Sequence, residues 1–399
     1  MKIVQVEDFF HPDAGYQVNI LSKYFVSFGH EVTIITAMMD IIPETLTAFF
    51  GANDIEKKDK DYSEKYNVKI IRLQAKKYIS GRVIFDTKKL VQTINQEQPD
   101  IIFAHGNDTF TSIQIIRHHN YFNCPIVSDS HMVSIASENR FRNLFRKAYR
   151  RLVTPIIRRE EIPVIRTADD PYVRDAFNIP LEQAPLISFG SDTLLFHPDE
   201  HIKSQKRKEL DISEDTFVIV YAGKLDESKG GRLLAELTCK EIIWNRKVQF
   251  VVVGNTVEND YGKEVEALFE DSKTTLRFPT QKYQDLAQFY QLADLAIIPR
   301  QCSLSIYDMQ ACGLPVLAED NSINKQRLSY GNGWVFKSGD LNDMAHKLQE
   351  ITEMPDDDFK AVSKNANNNI IDNYDYSERA KEYEKVLLKV YENYQTEKK

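Results

Sequence analysis

Short apolar runs alternate with longer helical patterns along the first half of the chain, and this alternation predicts a parallel sheet covered by helices. The predicted strands lie at residues 2–6, 32–36, 68–72, 101–104, 125–128 and 164–166. Between the first two strands, apolar residues recur at three- and four-residue steps, at Val18, Leu21, Phe25 and Phe28. Gly29 follows as a helix C-cap, so this segment is predicted to form one βαβ unit.

The same alternation restarts in the second half and predicts a second sheet, with strands at residues 217–221, 248–253, 295–298, 316–318 and 334–336. A segment rich in turn-forming residues, 189–200, separates the two patterns. We therefore expect an α/β chain of two Rossmann-like, doubly wound lobes, residues 1–188 and 189–375. Two such lobes facing one another would bind a ligand in the cleft at the carboxyl ends of both sheets. A last amphipathic helix is predicted over residues 376–399.

The composition predicts two or three domains and argues against several classes of protein. The chain has 399 residues, 42% of them apolar, and a net charge of −8. A general nucleic-acid binder needs a basic surface, which this acidic balance disfavours. The four cysteines lack the spacing of a zinc or redox site, and no Gly-x-Gly-x-x-Gly motif indicates a nicotinamide or flavin cofactor. The N-terminus has no long apolar stretch, so the expected location is the cytosol.

The predicted strand at 217–221 runs into a loop that combines glycine and lysine and then opens a helix. Its marked residues are Gly223, Lys224, Lys229 and Gly230. Such a junction suits a diphosphate, because exposed amide N–H groups and the positive end of a helix dipole favour an anion there. The two ammonium groups can close over the phosphate oxygens. Taken alone, such a loop is more often a simple turn with solvated lysines.

Four ordered segments resemble the donor-binding lobe of the retaining GT-B glycosyltransferases of family four. They are GKLDESKG at 223–230, VVVG at 251–254, YQLADLAIIP at 290–299 and DMQACGLPV at 308–316. The first half resembles the family less closely, in HPDAGY at 11–16, PDIIFAH at 99–105, PIVSDSH at 125–131 and GSDTLLFHP at 190–198. The resemblance spans about the whole chain. It implies that the C-terminal helix crosses back to the first lobe.

The resemblance implies a donor site in the second lobe. Lys224 and Lys229 would hold the nucleotide diphosphate, and Lys224 stands where the family usually has arginine, which keeps the charge but loses a bidentate fork. The donor-binding glycines would be Gly223, Gly230 and Gly254. The base of the nucleotide would lie beside Phe278, Thr280 and Gln281.

The resemblance also assigns two residues of the first lobe. His131 would lie at the cleft and contact a hydroxyl of the donor sugar. Gly15 would let the first loop approach the diphosphate closely. A lone histidine after a strand is otherwise a structural or surface residue.

The sequence departs from the family at a pair of glutamates that has seven residues between its members. Asp308 takes the second place, which holds the ribose hydroxyls, and an aspartate can still accept two hydrogen bonds. Arg300 takes the first place, which meets the donor sugar, and reverses the charge there. Either Arg300 pairs with a charged donor or a second phosphate, or Ser303, Leu304 and Ser305 present hydroxyls and amides to the sugar. In the other explanation the donor site has decayed, and the protein is a scaffold subunit for a partner glycosyltransferase.

The activity implied by the resemblance is transfer of a glycosyl group from a nucleoside-diphosphate sugar with retention of anomeric configuration. Lys224, Lys229, His131 and Arg300 would be the catalytic groups. No Asp-x-Asp stands in a position to hold a metal, so neither a metal nor a cofactor is expected. The acceptor would be a glycan, a lipid-linked molecule or another acceptor, in the synthesis of cell-surface polysaccharides or glycoconjugates.

The segment 140–159 combines basic side chains with apolar residues at helical spacing. A basic amphipathic helix can rest on an anionic bilayer, which would place the protein at the inner face of a membrane. An ordinary packed helix with solvated arginines explains the same pattern.

Overall fold

The computed structural model describes residues 1–41, 53–79, 81–132 and 141–398. Within this range the chain divides into two compact units. Unit 1 comprises the described residues of 1–43, 52–189 and 377–399, and unit 2 comprises residues 190–376. The boundary between Phe189 and Gly190 lies next to the boundary that the sequence predicts. Arg140, the first residue of the predicted basic segment 140–159, lies outside the described residues.

Unit 1 is built on a six-stranded sheet in the order β3-β2-β1-β6-β7-β8, and every strand pair in it is parallel. Its strands are β1 Lys2–Val6, β2 Glu31–Ala37, β3 Val68–Leu73, β6 Ile101–Ala104, β7 Ile126–Ser130 and β8 Val164–Arg166. Strands β6 and β7 are buried at every residue. Helices cover both faces of such a sheet, which explains why β6 is a continuous apolar run rather than an alternating one.

The helices of unit 1 follow its strands in the order of doubly wound folds. They are α1 Gln17–Ser27, α2 Ile55–Tyr66, α3 Thr87–Gln96, α4 Phe110–Arg117, α5 Arg142–Leu152, α6 Thr154–Arg159 and α7 Tyr172–Phe177. Gly29 has a positive φ just after α1, as expected of a C-cap. An antiparallel hairpin of β4 Ala75–Ile79 and β5 Arg82–Phe85 is not among the elements that the apolar pattern predicts.

Unit 2 repeats the architecture with a six-stranded sheet in the order β11-β10-β9-β12-β13-β14, again all parallel. Its strands are β9 Phe217–Ala222, β10 Val248–Val253, β11 Thr275–Phe278, β12 Leu295–Ile298, β13 Val316–Glu319 and β14 Gly333–Phe336. The sequence analysis did not predict β11. Its four residues are only half-buried, so the apolar run that marks the other strands is missing.

The helices of unit 2 are α8 Glu200–Glu209, α9 Gly231–Cys239, α10 Asp260–Asp271, α11 Tyr283–Gln291, α12 Ser305–Ala311, α13 Ser322–Arg327, α14 Leu341–Thr352 and α15 Asp356–Asn373. One buried cluster runs between the sheet and these helices, from Phe217 and Ile219 of β9 to Met344 and Leu348 of α14. The sheet therefore has its own core on this side.

The C-terminal helix α16, Tyr376–Glu397, belongs to unit 1 from Ser377 onward. Tyr383 is fully buried, and its hydroxyl donates a hydrogen bond to the carbonyl of Ile187 at 3.1 Å. Glu384 lies 2.7 Å from the Nε2 atom of His30, just after α1. The helix thus packs on the first unit, as the family resemblance implies.

Candidate functional site

The strand order locates the point in each sheet where a ligand is expected. Both sheets have the doubly wound order in which the chain turns back beside the first strand, and ligands of such folds bind outside the carboxyl ends of the strands at that point. In unit 2 the point lies between β9 and β12. Gly223 follows β9, and Pro299 and Arg300 follow β12. In unit 1 it lies between β1 and β6, which are followed by Glu7 and His105.

The loop after β9 packs tightly against two neighbouring loops, and glycines permit both contacts. Gly254 follows β10, and a Cβ atom there would lie 1.9 Å from the carbonyl oxygen of Gly223. Gly230 has a φ of +75°, and a Cβ atom there would lie 3.0 Å from Cβ of Arg300. Any side chain at either position would push the loops apart. The loop at 223–230 is therefore held directly beside Arg300 in the loop after β12.

The two candidate lysines lie on this loop and are half-buried. The Nζ atom of Lys229 donates a hydrogen bond to the carbonyl of Cys302 at 2.9 Å, which ties the loop after β9 to the loop after β12. Burial lowers the pKa of Lys224 from its ordinary value; nearby Lys229 lowers it further, and Asp226 acts in the opposite direction. A bound anion, in addition to Asp226, would relieve the mutual repulsion of the two ammonium groups. The pair is thus suited to an anion.

The backbone amides at the start of α9 correct one expectation. The sequence predicts that exposed N–H groups at this helix N-terminus face an anion. Instead, the amides of Gly230 and Gly231 donate to the carbonyls of Glu227 and Asp226, and the amide of Arg232 donates to the hydroxyl of Tyr261 at 2.9 Å. The physical reason is the turn of 3-10 helix at Glu227–Lys229, which takes up the first two donors, while Tyr261 takes up the third. Binding of an anion at this loop therefore depends on the side chains of Lys224 and Lys229.

The loop after β12 carries the residues that the sequence analysis marked at the sugar end. Arg300 is exposed, and its Nη1 atom donates to the carbonyl of Glu227 at 3.2 Å. The hydroxyls of Ser303 and Ser305 lie 2.7 Å apart, and Leu304 between them is 48% exposed. Arg300, the two serines and Leu304 thus lie in the same unit as Lys224 and Lys229.

Asp308 lies in α12, and its side chain is buried. The hydroxyl of Ser191 donates to its Oδ1 atom at 2.6 Å, and the hydroxyl of Tyr283 donates to the same atom at 3.4 Å. Burial raises the pKa of Asp308 to about 7, against the effect of these two hydrogen bonds, and Asp192 raises it further. The sequence analysis did not identify Ser191 or Tyr283 as partners, because the three residues lie far apart along the chain.

The residues expected beside the nucleotide base surround the end of β11. Phe278 is the last residue of that strand, and its ring contacts the ring of Phe289 with centroids 5.0 Å apart. The amide of Thr280 donates to Asn255 Oδ1 at 3.0 Å, and the Thr280 hydroxyl oxygen accepts from the amide of Asn255 at 3.2 Å. Gln281 donates through Nε2 to the carbonyl of Pro279 at 2.8 Å. These contacts fix the segment next to the loop that carries Gly254.

His131 lies in unit 1, directly after β7, with about a third of its side chain exposed. Its Nε2 atom lies 3.1 Å from Oδ2 of Asp129, which is fully buried. Burial alone would lower the pKa of His131, but the charge and hydrogen bond of Asp129 raise it to about 9. His131 is therefore a cation at neutral pH. Burial would raise the pKa of Asp129, but His131 and His105 hold it well below its usual range through their charges and hydrogen bonds.

Asp129 also binds His105, and the sequence analysis did not foresee this network. The Nδ1 atom of His105 lies 2.9 Å from Oδ2 of Asp129, and its Nε2 atom lies 2.9 Å from Oε1 of Gln5. His105, Asp129 and His131 place their ligand atoms within 4.8 Å of one another, a spacing that could hold a metal ion. Because both ring nitrogens of the buried His105 already have protein partners, the cluster is explained as a hydrogen-bond network.

Two acidic residues after β1 complete this end of unit 1. Burial raises the pKa of Glu7, and it raises the pKa of Asp8 to about 6. Asp8 accepts hydrogen bonds from the hydroxyl of Thr111 and from the amide of Val83. The sequence signal was available, because polar residues directly after a buried strand lie at the ligand end of the sheet. Gly15 lies in the turn after β1 but not in the left-handed backbone region, so its conformation does not require glycine.

The basic amphipathic segment forms two short helices, α5 and α6, rather than one. Phe145 and Tyr149 pack toward the core of unit 1, whereas Phe141, Leu144 and Leu152 are 67%, 69% and 49% exposed. The apolar residues therefore lie on two faces of α5, one of them in solvent. Among the described residues, no helix is long and apolar enough to cross a membrane.

Comparison with known proteins identifies the second unit most directly. Residues 216–354 match the family model described as glycosyl transferases group 1. The lipopolysaccharide 1,2-N-acetylglucosaminetransferase of Salmonella typhimurium is 28% identical over 142 residues, which are 33% of this chain and 36% of that protein. The chain spans less than half the length of the curated relatives that it matches. The predicted resemblance of the second unit to glycosyltransferases is confirmed over residues 216–354.

Solved structures match over nearly the whole chain. A glycosyltransferase from Rickettsia africae has a TM-score of 0.74 at 16% sequence identity and covers 98% of both chains. The Anabaena protein HepE, solved in complex with UDP and glucose, has a TM-score of 0.74 at 17% identity and covers 98% of this chain and 100% of that one. The predicted GT-B fold with its two parallel sheets is therefore confirmed.

Proposed function

We propose that this chain, which has the GT-B fold and carries the group 1 glycosyl transferase match in its second unit, is a glycosyltransferase that uses a nucleoside-diphosphate sugar. The observation that carries the proposal is the pair Lys224 and Lys229 on the loop after β9, beside Arg300 at the end of β12. Three cations on adjoining loops meet at the point of the sheet where doubly wound folds bind ligands. HepE, which shares the fold, has been solved with UDP and glucose, and this supports a nucleotide donor.

The chemistry follows from where charge develops. When the bond between the sugar and the diphosphate breaks, negative charge grows on the departing diphosphate. Fixed cations at that position stabilise the transition state more than the ground state, an effect worth several kcal/mol in a site closed to water. We propose that the two lysines supply this stabilisation without a metal ion or cofactor, and that the anomeric configuration is retained. We assign no protein nucleophile.

The sugar end of the site differs from the family pattern, and the structure supports a binding role for Arg300. Its side chain is exposed and directed by the carbonyl of Glu227, so it stays beside Lys229. We propose that Arg300 pairs with a charged group of the donor, while Ser303 and Ser305 offer hydroxyls. Asp308 is proposed to meet the ribose, for which its hydrogen bonds to Ser191 and Tyr283 would rearrange. The roles of His131 and Gly15 at the donor stay predictions.

The acceptor is proposed to be a glycan or a lipid-linked molecule of the cell surface. The support is the likeness of a 142-residue stretch of the chain to the Salmonella lipopolysaccharide enzyme. The competing function is a scaffold subunit that binds a partner glycosyltransferase and no longer turns over a donor. The reversed charge at Arg300 is the observation that favours it.

A thermal-shift screen with UDP, GDP, ADP and UDP-glucose tests the proposal, because a ligand that binds only the folded state raises the midpoint of unfolding. We expect at least one nucleoside diphosphate to raise it by several degrees at about a hundredfold excess over its Kd. Stabilisation by none of them, together with a protein partner that co-purifies, would favour the scaffold.

We further propose that α5 and α6 rest on an anionic membrane surface, which would place the protein at the inner face of a membrane. Seven basic residues and no acidic one lie between positions 141 and 159: Arg142, Arg146, Lys147, Arg150, Arg151, Arg158 and Arg159. Lys147 and Arg151 are exposed on the solvent side of α5, the side that also presents Leu144 and Leu152. Apolar side chains flanked by cations match the interface of an anionic bilayer.

Flotation with vesicles of phosphatidylglycerol and phosphatidylcholine tests this surface. The double variant Lys147→Glu/Arg151→Glu should lose binding at low salt, because each basic residue near the surface contributes about 1 kcal/mol. The variant Lys360→Glu/Lys364→Glu, which makes the same charge change on α15 in unit 2, should bind as the wild type does. A wild type that does not float with these vesicles would exclude the membrane surface.

A further inference from the structure

Gln301, the residue after Arg300, has a left-handed backbone with a φ of +57° although it carries a side chain. This conformation is unfavourable for any residue with a Cβ atom, because Cβ crowds the following carbonyl oxygen. It persists only where the surroundings hold it. Gln301 lies in the loop after β12, so the free-energy cost of this backbone conformation falls within the proposed donor site.

Three side chains hold Gln301 in this conformation. Its amide donates to Oε2 of Glu319 at 2.6 Å, which is a short hydrogen bond to a charged acceptor. Its carbonyl accepts from Nδ2 of Asn324 at 2.7 Å and from Nδ2 of Asn321 at 3.1 Å. Asn324 is fully buried, so its position is set by the core rather than by solvent.

Glu319 is the last residue of β13 and is only 6% exposed. Its second carboxylate oxygen accepts from the hydroxyl of Ser338 at 2.7 Å. A buried carboxylate is costly unless hydrogen bonds satisfy it, and here the amide of Gln301 supplies one of them. Glu319 therefore connects the rigid end of the sheet to the loop.

The conformation of Gln301 decides where the next carbonyl lies. That carbonyl belongs to Cys302 and accepts the hydrogen bond from Nζ of Lys229 at 2.9 Å. The following carbonyl, of Ser303, accepts from Nη1 of Arg327 at 2.9 Å. If Gln301 relaxed to an ordinary backbone conformation, the Cys302 carbonyl would turn away. Lys229 would then lose the acceptor that fixes its ammonium group.

We propose that Glu319 is a positioning residue for Lys229. Its carboxylate holds Gln301 in the left-handed conformation and thereby orients the Cys302 carbonyl, which accepts the hydrogen bond from the ammonium group of Lys229. This inference rests on the proposed function, in which Lys229 binds the diphosphate of the donor. Glu319 touches neither the donor nor the reacting atoms. Its effect should appear as a loss of nucleotide affinity larger than any loss of stability explains.

Calorimetric titration with UDP, in parallel with thermal unfolding, separates these effects. Glu319→Ala should weaken UDP binding by about tenfold, because the loop is no longer fixed before the ligand arrives. Ser338→Ala removes the other hydrogen bond of the same carboxylate and leaves Gln301 untouched, so it should bind UDP as the wild type does. Equal losses of affinity in the two variants would mean general loosening and would overturn the proposal.

Two rescues sharpen the test. Glu319→Gln keeps an acceptor for the amide of Gln301 and should recover most of the affinity. In the background of Glu319→Ala, Gln301→Gly should also recover affinity to within about threefold of the wild type, because glycine adopts the left-handed conformation without the steric cost. Gln301→Gly in the wild-type background shows the effect of the glycine alone on UDP affinity. If Glu319→Ala does not fold, recovery of folding and UDP binding in the double variant supports the proposal, and failure of the double variant contradicts it.

The outcomes distinguish this inference from the function on which it rests. A wild type that binds neither UDP nor GDP nor ADP overturns the proposed function and this inference with it. A wild type that binds UDP while folded Glu319→Ala binds equally well overturns only the role of Glu319.

Discussion

At the scale of single residues, burial gives Asp308 an unusual proton affinity for a carboxyl group. Its pKa is raised to about 7 in the folded state by burial, whereas an aspartate in an unfolded chain loses its proton near pH 4. Between these values the folded state binds more protons than the unfolded state. The contribution of Asp308 to stability therefore falls as pH rises from about 4 to about 7.

This sign gives a prediction for Asp308→Asn. Asparagine has no proton to lose, so the free energy of unfolding of the variant lacks this dependence on pH. The difference between variant and wild type should therefore rise with pH through this window, by at most about 1.4 kcal/mol per pH unit. Denaturant unfolding from pH 5 to pH 8 measures the difference. Asp260→Asn, at a side chain that is 95% exposed, is the control and should show no such trend. Parallel stability curves for wild type and Asp308→Asn would contradict the assignment.

At the scale of elements, the sequence predicts what periodicity and local chemistry determine. Strands β1 and β9 and the helix that Gly29 ends are found where the apolar patterns place them. Strand β11 was missed because its half-buried residues lack a continuous apolar run. The amides at the start of α9 were assigned wrongly, since a turn of 3-10 helix occupies them, and no residue pattern distinguishes that turn from an open helix N-terminus.

Contacts between distant segments were beyond the sequence for a different reason. Arg207 of α8 is 2% exposed and donates to Asp294 Oδ2 at 2.8 Å and to the carbonyl of Leu292 at 2.9 Å. A charge so deeply buried is not expected from composition. The same holds for Glu319 and Gln301, whose pairing depends on the sheet order and on a backbone conformation that no side-chain pattern reveals.

Arg207 gives a prediction at this scale. Arg207→Ala removes the buried donor of the Leu292 and Thr216 carbonyls, while Asp294 keeps its ion pair with Lys203 at 2.8 Å. It should lower the free energy of unfolding by about 2–3 kcal/mol. Arg232→Ala removes an arginine that is 55% exposed and pairs with Glu236 at 3.0 Å, and it should lower the free energy of unfolding far less. Guanidinium chloride unfolding compares the two variants. Similar losses in both would show that the buried pair does not anchor α8 to the sheet.

At the scale of the whole molecule, two sheets with the same strand order carry different chemistry at their ligand ends. Unit 2 presents Lys224, Lys229 and Arg300 on adjoining loops, whereas unit 1 presents a buried aspartate that holds His131 as a cation. The net charge of −8 therefore conceals local cationic groups where the donor is proposed to bind. The sequence marks Lys224, Lys229, Arg300 and His131 as candidates, but it predicts neither the role of Asp129 nor how the loops hold one another.

The most direct test of the central claim is the affinity of purified wild type, Lys229→Ala and Lys240→Ala for UDP, measured by titration calorimetry. Lys240 is an exposed lysine just after α9 and controls for the loss of one positive charge in the same unit. We expect Lys229→Ala to remain folded and to bind UDP at least about tenfold more weakly, while Lys240→Ala binds within about twofold of the wild type. A folded Lys229→Ala protein that binds UDP as tightly as the wild type would contradict the proposed diphosphate site.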